Sequence, residues 1–553
     1  MRILHWCGWL TLFLAMRLPL AATESGGVFH FVETIQNTPM NLPVFSGDSL
    51  KRYIIDVNGN GCVWFDFNND GWMDLFVAQG ATLSALKQLD SRSYKNRLYL
   101  NLGDGSFREV TDQAGVGGPA SGWAMGAVAA DYDNDGWVDL FVTSLGPDTL
   151  YRNNGDGTFA DCTEEAGLSG LTGWSTGATF GDYDGDGFVD LYVAGYIDFD
   201  LDNPPPPTCP YKGVEVMCGP GGLNPAPDFL FRNRGDGTFE DVTERALLAR
   251  DFFDSYGFAA VFVDLNGDHL LDLYVANDQK ANFLYRNNGN GTFSEIGLAS
   301  GAAYSADGRA QAGMGIGVGD YNRDGRPDLV VTHFSDDYDT LYRNEGNFVF
   351  TDVSRQTNLA EASFPFMGWG AIFADFDRDG WEDLFVANGH LYPQVAQVLG
   401  GNYLQRNLIY RNHTGQTFQE LGQLIPGFDK EALSRGAAVA DFDNDGDMDI
   451  FIVDIDDTPS FLENRTVNDH NWVGFSITRP YGVSIKITTP SGVQYRYLVS
   501  GGSFLSQNDP RAFFGLGNDD RVLEVEIQWP GGKRVRLREL EINRYHSISY
   551  PDD

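Results

Sequence analysis

Positive charge is scarce in this chain. Its 553 residues hold 38 Lys and Arg against 77 Asp and Glu, a formal net charge of −39. A surface of that sign repels phosphate backbones and anionic headgroups, which argues against nucleic acid and anionic membrane as partners. Cysteine is rarer still, with five residues in all. No long apolar run follows residue 22, so nothing later spans a bilayer as a helix. Also missing, over any useful length, is the 3.6-residue apolar period of an amphipathic helix. Disorder is excluded from the other side: 42% of residues are hydrophobic and 13% aromatic, ample for a packed core.

The first residues, "MRILHWCGWLTLFLAMRLPLAATES", combine a basic start, a short apolar stretch broken by Arg17, and small residues at Ala21 and Ala22. This pattern predicts a signal peptide over residues 1–22 and a secreted or periplasmic protein. Its removal takes Cys7 with it and leaves Cys62, Cys162, Cys209 and Cys218. Cys209 and Cys218 share the loop "TCPYKGVEVMCGPGGL" and are expected to form a disulfide in an oxidising compartment. Cys62 lies in a strand-like run and reads as a small buried hydrophobe. A bond from Cys62 to Cys162 is allowed but not demanded.

The acids are not spread evenly. One nonapeptide pattern, with acidic or amide residues at positions 1, 3, 5 and 9, occurs seven times. The copies place Asp66, Asn68, Asp70 and Asp74 in the first, then Asp131, Asp133, Asp135 and Asp139, then Asp182, Asp184, Asp186 and Asp190. They continue with Asp264, Asn266, Asp268 and Asp272, with Asp320, Asn322, Asp324 and Asp328, with Asp375, Asp377, Asp379 and Asp383, and finally with Asp441, Asp443, Asp445 and Asp449. Position 6 is Gly in six copies and His269 in the fourth. Calcium takes about six to eight hard oxygen ligands in a flexible shell, which alternate side chains of such a loop, a carbonyl such as that of Trp137, and water can supply. An EF-hand would need flanking helices and a Glu at position 12, where the second copy has Val142 inside a strand-like run. Up to seven structural Ca²⁺ ions are therefore expected. The fourth loop, with His269, and the fifth, with Arg323 and Arg326, depart most from the pattern.

Every copy runs into a strand-like segment such as "LFVA" or "LYVA", and then into phrases such as "LYRNNGDGTF". Short all-β units repeated in this way predict an all-β fold, a seven-bladed β-propeller with one unit per blade. The first six units end in a Phe-led strand, as in "FREVT" from Phe107, and the seventh lacks it. "FHFVE", from Phe29, is expected to supply that strand and fasten the ring. Five residues before each motif stands Gly61, Gly126, Gly177, Ala259, Gly315, Gly370 or Gly436, small residues that suit a crowded inner strand. The propeller is assigned to residues 23–465. Alternating strands in the tail, such as "VLEVEIQW", predict a compact β domain over 466–553, outside the ring.

Two motifs imitate catalytic sequences. "GWSTG" at 173–177 matches a nucleophile elbow around Ser175, but the repeat accounts for its position and no helix follows. "GMGIGVG" at 313–319 leads into an acidic loop instead of a helix.

Beyond the seven motifs, "CPYKGVEVMCGPGGL", "AQAGMGIGVGDYNRDG" and "VANGHLYPQV" resemble secreted FG-GAP/VCBS-repeat propellers that carry a C-terminal ASPIC/UnbV domain, a group that includes cartilage acidic proteins and bacterial relatives. The tail is similar to that domain through "NDHNWVGFSI", "SGGSFLSQNDPRAFFGLG" and "VEIQWPGGKRV". The resemblance implies integrin-α-like blades, calcium binding and an extracellular setting. It implies no agreed chemistry. The expected function is a non-enzymatic binding or adhesion scaffold that presents loops, among them "DNPPPPTCPYKGVEVMCGPGGL" at 202–223, to an unidentified protein or glycan. The alternative is a polysaccharide lyase or hydrolase at the ring mouth, with His390, Tyr392, Tyr211 and His333 as candidate acid or base groups.

Overall fold

Each acidic nonapeptide joins two strands of one sheet. The computed structural model describes residues 29–90, 94–246, 255–398 and 400–551; the expected leader at 1–22 lies outside them. In the first sheet, Cys62–Phe65, Asp74–Val77, Arg97–Asn101 and Phe107–Glu109 run antiparallel in that order, and the loop from Asp66 joins the first two. Six further sheets along the repeats have the same four-stranded plan. Among the described residues, α-helices are confined to pieces of four or five residues, in keeping with the missing period.

The innermost strands lie side by side in a closed cycle, from Cys62–Phe65 through Trp123–Ala130, Ser175–Gly181, Gly257–Val263, Ile316–Gly319, Gly368–Ala374 and Ser434–Ala440, and back to the first. This is a β-propeller. Because each sheet is covered on both faces by its neighbours, strands such as Asp74–Val77 are buried at every position, which is why they read as continuous apolar runs. Val63, Phe65, Leu98 and Leu140 form the core between the first two sheets, while Trp64, Leu75, Phe451 and Phe461 join the last to the first.

The N-terminal strand closes the last sheet, where Phe31–Glu33 pairs with Ser460–Asn464. Its register needs one correction. Phe31, not Phe29, opposes Asn464, just as Phe107 opposes Asn101 in the first sheet. Phe31 then packs edge-on against Phe376 and Phe428.

The tail builds two sheets of its own around Val473, Ile485, Phe514, Ile527 and Trp529. It does not stay wholly outside the ring. The segment 500–507, "SGGSFLSQ", enters the axis, and Ser500, Phe504 and Gln507 are completely buried there. Inner strands are edge strands whose backbone groups need partners, and this segment provides them. Ser503 exchanges both backbone hydrogen bonds with Ile316, at 2.6 and 2.9 Å, and Gln507 donates to Cys62 O at 2.9 Å and accepts from Trp64 N at 3.1 Å.

The small residues near the axis are explained accordingly. A Cβ on Gly61 would stand 1.7 Å from the carbonyl oxygen of Leu505, and one on Gly126 2.5 Å from it. At Gly177 the obstacle is Phe258 O of the next sheet, at 2.5 Å, which matches the expected collision between neighbours. The inserted segment, not the ring alone, therefore sets the glycine requirement at Gly61 and Gly126.

Cys209 and Cys218 are disulfide-bonded, with Cα atoms 5.0 Å apart, and clamp the hairpin Cys209–Tyr211/Val214–Val216. Cys62 and Cys162 are both buried and unpaired.

Candidate metal centres

In the second loop, positive φ at Asn134 (59°) and Gly136 (92°) turns the chain back on itself, a conformation natural to Gly and tolerated by Asn. The carboxylate of Asp131 accepts backbone N–H bonds from Asp135 and Gly136, both at 3.0 Å. Asp139 accepts from Tyr132 N at 3.1 Å and from Asn153 N at 2.8 Å. Oxygens of Asp131, Asp133 and Asp139 consequently lie within 4.8 Å of one another, and the same holds for Asp182, Asp184 and Asp190, for Asp375, Asp377 and Asp383, and for Asp441, Asp443 and Asp449. Each of these four groups could hold a metal ion.

Position 5 departs from the expected convergence. Asp135 turns an oxygen to the N–H of Trp137 at 2.8 Å, and Asp186 and Asp379 do the same to Phe188 and Trp381. In the first, fourth and fifth loops, position 3 is an amide that faces position 5. Asn68 donates to Asp70 at 2.8 Å, and Asn266 and Asn322 donate to Asp268 and Asp324 at 2.9 Å. Asp66 and Asp74, Asp264 and Asp272, and Asp320 and Asp328 complete those loops with the backbone bonds seen at Asp131 and Asp139. His269 occupies the turn position at φ 70°.

The donor set suits a hard divalent cation. Among the described residues, Asp328 Oδ2, Asp375 Oδ1, Asp441 Oδ1, Asp443 Oδ1 and Asp449 Oδ2 are buried without a hydrogen-bond partner. Burial pushes Asp131 and Asp443 up to about 6, Asp441 and Asp320 up to about 7, and Asp139 up to about 9. A desolvated carboxylate without a counter-charge is costly, and an ion held by three of them offsets that cost. Arginines compensate some loops already: Arg232 reaches Asp184 at 2.6 Å and Asp186 at 3.0 Å, and Arg411 reaches Asp377 at 2.7 Å.

Sequence reasoning missed the residue that ties these loops to the ring. The Asn that ends the third strand of each sheet, preceded by Arg in five of the seven repeats, is buried, and its backbone N–H donates to the position-9 Asp. Its side-chain amide donates to the position-2 carbonyl of the preceding loop. Asn153 bonds Phe67 O at 2.7 Å, Asn233 bonds Tyr132 O at 2.8 Å, and Asn287 bonds Tyr183 O at 2.8 Å. Asn344, Asn412, Asn464 and Asn101 do the same to Leu265, Tyr321, Phe376 and Phe442. The recurring Asn was visible in the sequence; its partner, one repeat away, was not.

Loops also touch directly. The side chain at position 4 donates to the position-6 carbonyl of the next loop, from Asn69 to Gly136, Asn134 to Gly187, Arg323 to Gly380 and Asn444 to Gly71. Arg378, in the sixth loop, pairs instead with Asp447 at 3.3 Å. Gly185 and Gly267 have no side chain to offer at this position. At those two junctions the C-terminal domain supplies the donor: Gly531 N reaches His269 O at 3.1 Å, and Tyr497 OH reaches Gly325 O at 2.8 Å.

At the other end of the inner strands, the disulfide-bonded loop covers the ring mouth. Val216 and Met217 are buried with Trp174, Tyr196 and Trp369, whereas Pro210, Lys212 and Glu215 face solvent. Tyr211 packs 5.7 Å from Tyr392, whose backbone N–H donates to His390 Nδ1 at 2.9 Å. The structure thus brings together three of the four candidate acid or base groups. Burial holds His390 down at about 3 and His333 at about 4 and pushes Tyr392 up to about 12, away from the near-neutral range in which a general acid or base works best. Ser175 begins a buried inner strand that leads to an acidic loop, without the helix an elbow needs.

Comparison with known proteins agrees with this architecture. The model of the FG-GAP-like repeat matches residues 66–142, 131–193, 215–275, 264–331, 320–386 and 395–452, and that of ASPIC and UnbV matches 477–553. Cartilage acidic protein 1 of Mus musculus is 27% identical over 78% of this chain, and that of Homo sapiens 27% over 78%; the chain spans 65% and 64% of their lengths. Among solved structures, BBS1N in complex with ARL6DN covers 80% of this chain and 99% of its own at 10% identity and a TM-score of 0.41, too distant to bear on function. The chain belongs to the FG-GAP-like repeat family, carries an ASPIC and UnbV domain at its C-terminal end, and is homologous to cartilage acidic protein 1.

Proposed function

We propose that this chain is an exported, calcium-stabilised binding scaffold: a seven-bladed propeller over 23–465 and an ASPIC/UnbV β domain over 466–553, presenting loops to a protein or glycan without performing chemistry on it. The orphaned buried carboxylate oxygens of the acidic loops carry the metal part of this reading. Positions 1, 3 and 9 would hold each ion, with position 5 and the position-7 carbonyl completing the shell. Calcium would neutralise the loop and fix the position-9 Asp, to which the stapling Asn is bonded. Each ion thereby supports the contact between one sheet and the next.

The disulfide supports export, because such bonds persist in oxidising compartments. Among the described residues no helix is long and apolar enough to cross a membrane. The 200–225 loop supports recognition: one side is anchored in the aromatic cluster at the ring mouth, and the other offers Pro210, Lys212 and Glu215 on a stiffened hairpin. Rigid elements of this kind limit the entropy lost on binding.

The test uses the calcium-loaded chain on panels of immobilised extracellular proteins and glycans, beside a form in which 209–218 is replaced by a Gly-Ser linker. Binding that depends on this hairpin, with no change in the bound material, supports the scaffold. Cleavage of a glycan, lost in His390→Ala and Tyr392→Ala, would establish the enzyme instead.

A further inference from the structure

The residue before each stapling Asn stands on the third strand of its sheet, beside the acidic loop of the same repeat. It is Leu100 in the first repeat, arginine in the next five, and Glu463 in the seventh. Two of the arginines reach the loop itself. Arg232 pairs with Asp184 at 2.6 Å and Asp186 at 3.0 Å, and Arg411 pairs with Asp377 at 2.7 Å and Asp379 at 3.5 Å. These carboxylates are positions 3 and 5 of the third and sixth loops. Elsewhere the contact is looser: Arg343 turns to Glu345 at 2.6 Å, and Arg152, which forms no ion pair among the described residues, acts on Asp133 only through its charge.

The consequence lies in the oxygens. Asp184 gives Oδ1 to the N–H of Asp186 and Oδ2 to Arg232, while Asp186 gives Oδ1 to the N–H of Phe188 and Oδ2 to Arg232. Every oxygen of positions 3 and 5 in the third loop is thereby engaged. In the sixth, Arg411 faces Oδ2 of Asp377 and of Asp379 as an ion pair. The seventh loop is the opposite case. Asp443 Oδ1 is buried without a partner, and Glu463 adds to the negative charge acting on Asp443 and Asp445. Nearby arginines are occupied there, Arg378 by Asp447, Arg465 by Glu463 and Arg511 by Asp509.

A divalent cation and a guanidinium at the same two carboxylates repel each other, and calcium affinity follows the charge count of its site. We infer that Arg232 and Arg411 set the calcium affinity of their own loops, holding the third and sixth below the seventh. This rests on the calcium reading above and adds to it residues that are not ligands. The effect is larger at Arg411, whose partner Asp377 is buried and less screened by solvent. When calcium is scarce, the same arginines offset the acidic charge of the two loops.

The test is equilibrium dialysis of the full chain over micromolar to millimolar calcium, with bound ions counted by atomic emission. The variants are Arg232→Leu and Arg411→Leu, which borrow the residue the first repeat carries as Leu100, and the charge-conserving Arg232→Lys and Arg411→Lys. The number of ions at saturation is expected to stay the same in all four. Arg232→Leu is expected to tighten one ion about threefold and Arg411→Leu about fivefold, whereas the Lys variants stay within about twofold of the parent. Thermal unfolding supplies a second readout: the Leu variants unfold below the parent in chelator and lose that deficit in millimolar calcium. An unchanged isotherm in both Leu variants overturns the inference, as does weaker binding, which would make the arginines orienting groups for the carboxylates. A parent chain that binds no calcium overturns the calcium reading and this inference with it; calcium bound with affinities indifferent to these substitutions leaves that reading standing.

Discussion

Asn101 donates from its side-chain amide to the carbonyl oxygen of Phe442 at 2.8 Å, across 341 residues of sequence. This is one of the bonds by which the first sheet holds the last acidic loop where the ring closes. The same amide reaches Met73 O at 3.1 Å, and its oxygen accepts from Gly103 N at 3.0 Å. Replacing it strands buried backbone groups. Asn101→Ala is expected to cost about 3 kcal/mol, from groups worth about 1 to 3 kcal/mol each when left unpaired. Asn233→Ala, in the interior of the ring, is expected to cost a similar amount. Urea unfolding of both variants measures this, and an unchanged midpoint would show that the staples carry no stability.

The inserted segment makes a sharper demand. A Cβ at Gly61 has no room beside the Leu505 carbonyl, whereas one at Gly173 meets nothing within 4 Å. Gly61→Ala is expected to push 500–507 out of the axis and expose the amides of Trp64 and Gln507 to hydrogen exchange. Gly173→Ala is expected to leave both protected. Equal protection in the two variants would mean that the axis tolerates the methyl group and that the fit is looser than the backbone bonds indicate.

The repeats and the Cys209–Cys218 bond were legible because each rests on local spacing, and the closing N-terminal strand because the seventh unit lacks its own. The inserted segment was not. "SGGSFLSQ" has neither strand nor helix period, and its partners are Cys62, Trp64 and Ile316, in sheets far away along the chain. Small residues such as Gly61 announced a close approach but could not say what approaches. At the metal loops the sequence named the residue types and missed the direction of position 5, since a side chain that can serve an ion can equally cap the N–H of Trp137. His390 and His333 looked chemical because exposure is invisible in sequence; both are buried.

A pH response follows from Asp278. It is buried, accepts from Tyr196 OH at 2.7 Å, and is pushed up to about 7 by desolvation. A carboxyl whose folded value lies above its unfolded value of about 3.9 contributes stability that is fully present below the unfolded value and is lost as pH rises from there through about 7. Asp278→Asn keeps an acceptor for Tyr196 and removes the charge. It is expected to raise the unfolding temperature by several degrees at pH 8 and by clearly less at pH 5. An equal shift at both values would assign the effect to packing instead of titration.

The removal of one ligand set should be local in binding and wider in stability. Asp139→Asn is expected to reduce the bound calcium by one ion per chain, counted by atomic emission after gel filtration. It should also weaken the junction that Asn153 staples to Phe67, because the Asn153 N–H is bonded to Asp139. An unaltered count would remove Asp139 from the set of ligands.

The central claim is that the acidity of this chain exists to hold metal. Calcium stoichiometry of the chain and its thermal unfolding, before and after chelation, test it directly. A site held a hundredfold above its dissociation constant stabilises by about 2.7 kcal/mol, so several sites together should lower the unfolding temperature by roughly 10 °C or more once emptied. At least four bound ions, one for each carboxylate group that converges, and a fall of that size are the predicted result. No bound calcium, or the same unfolding curve with and without chelator, would contradict it.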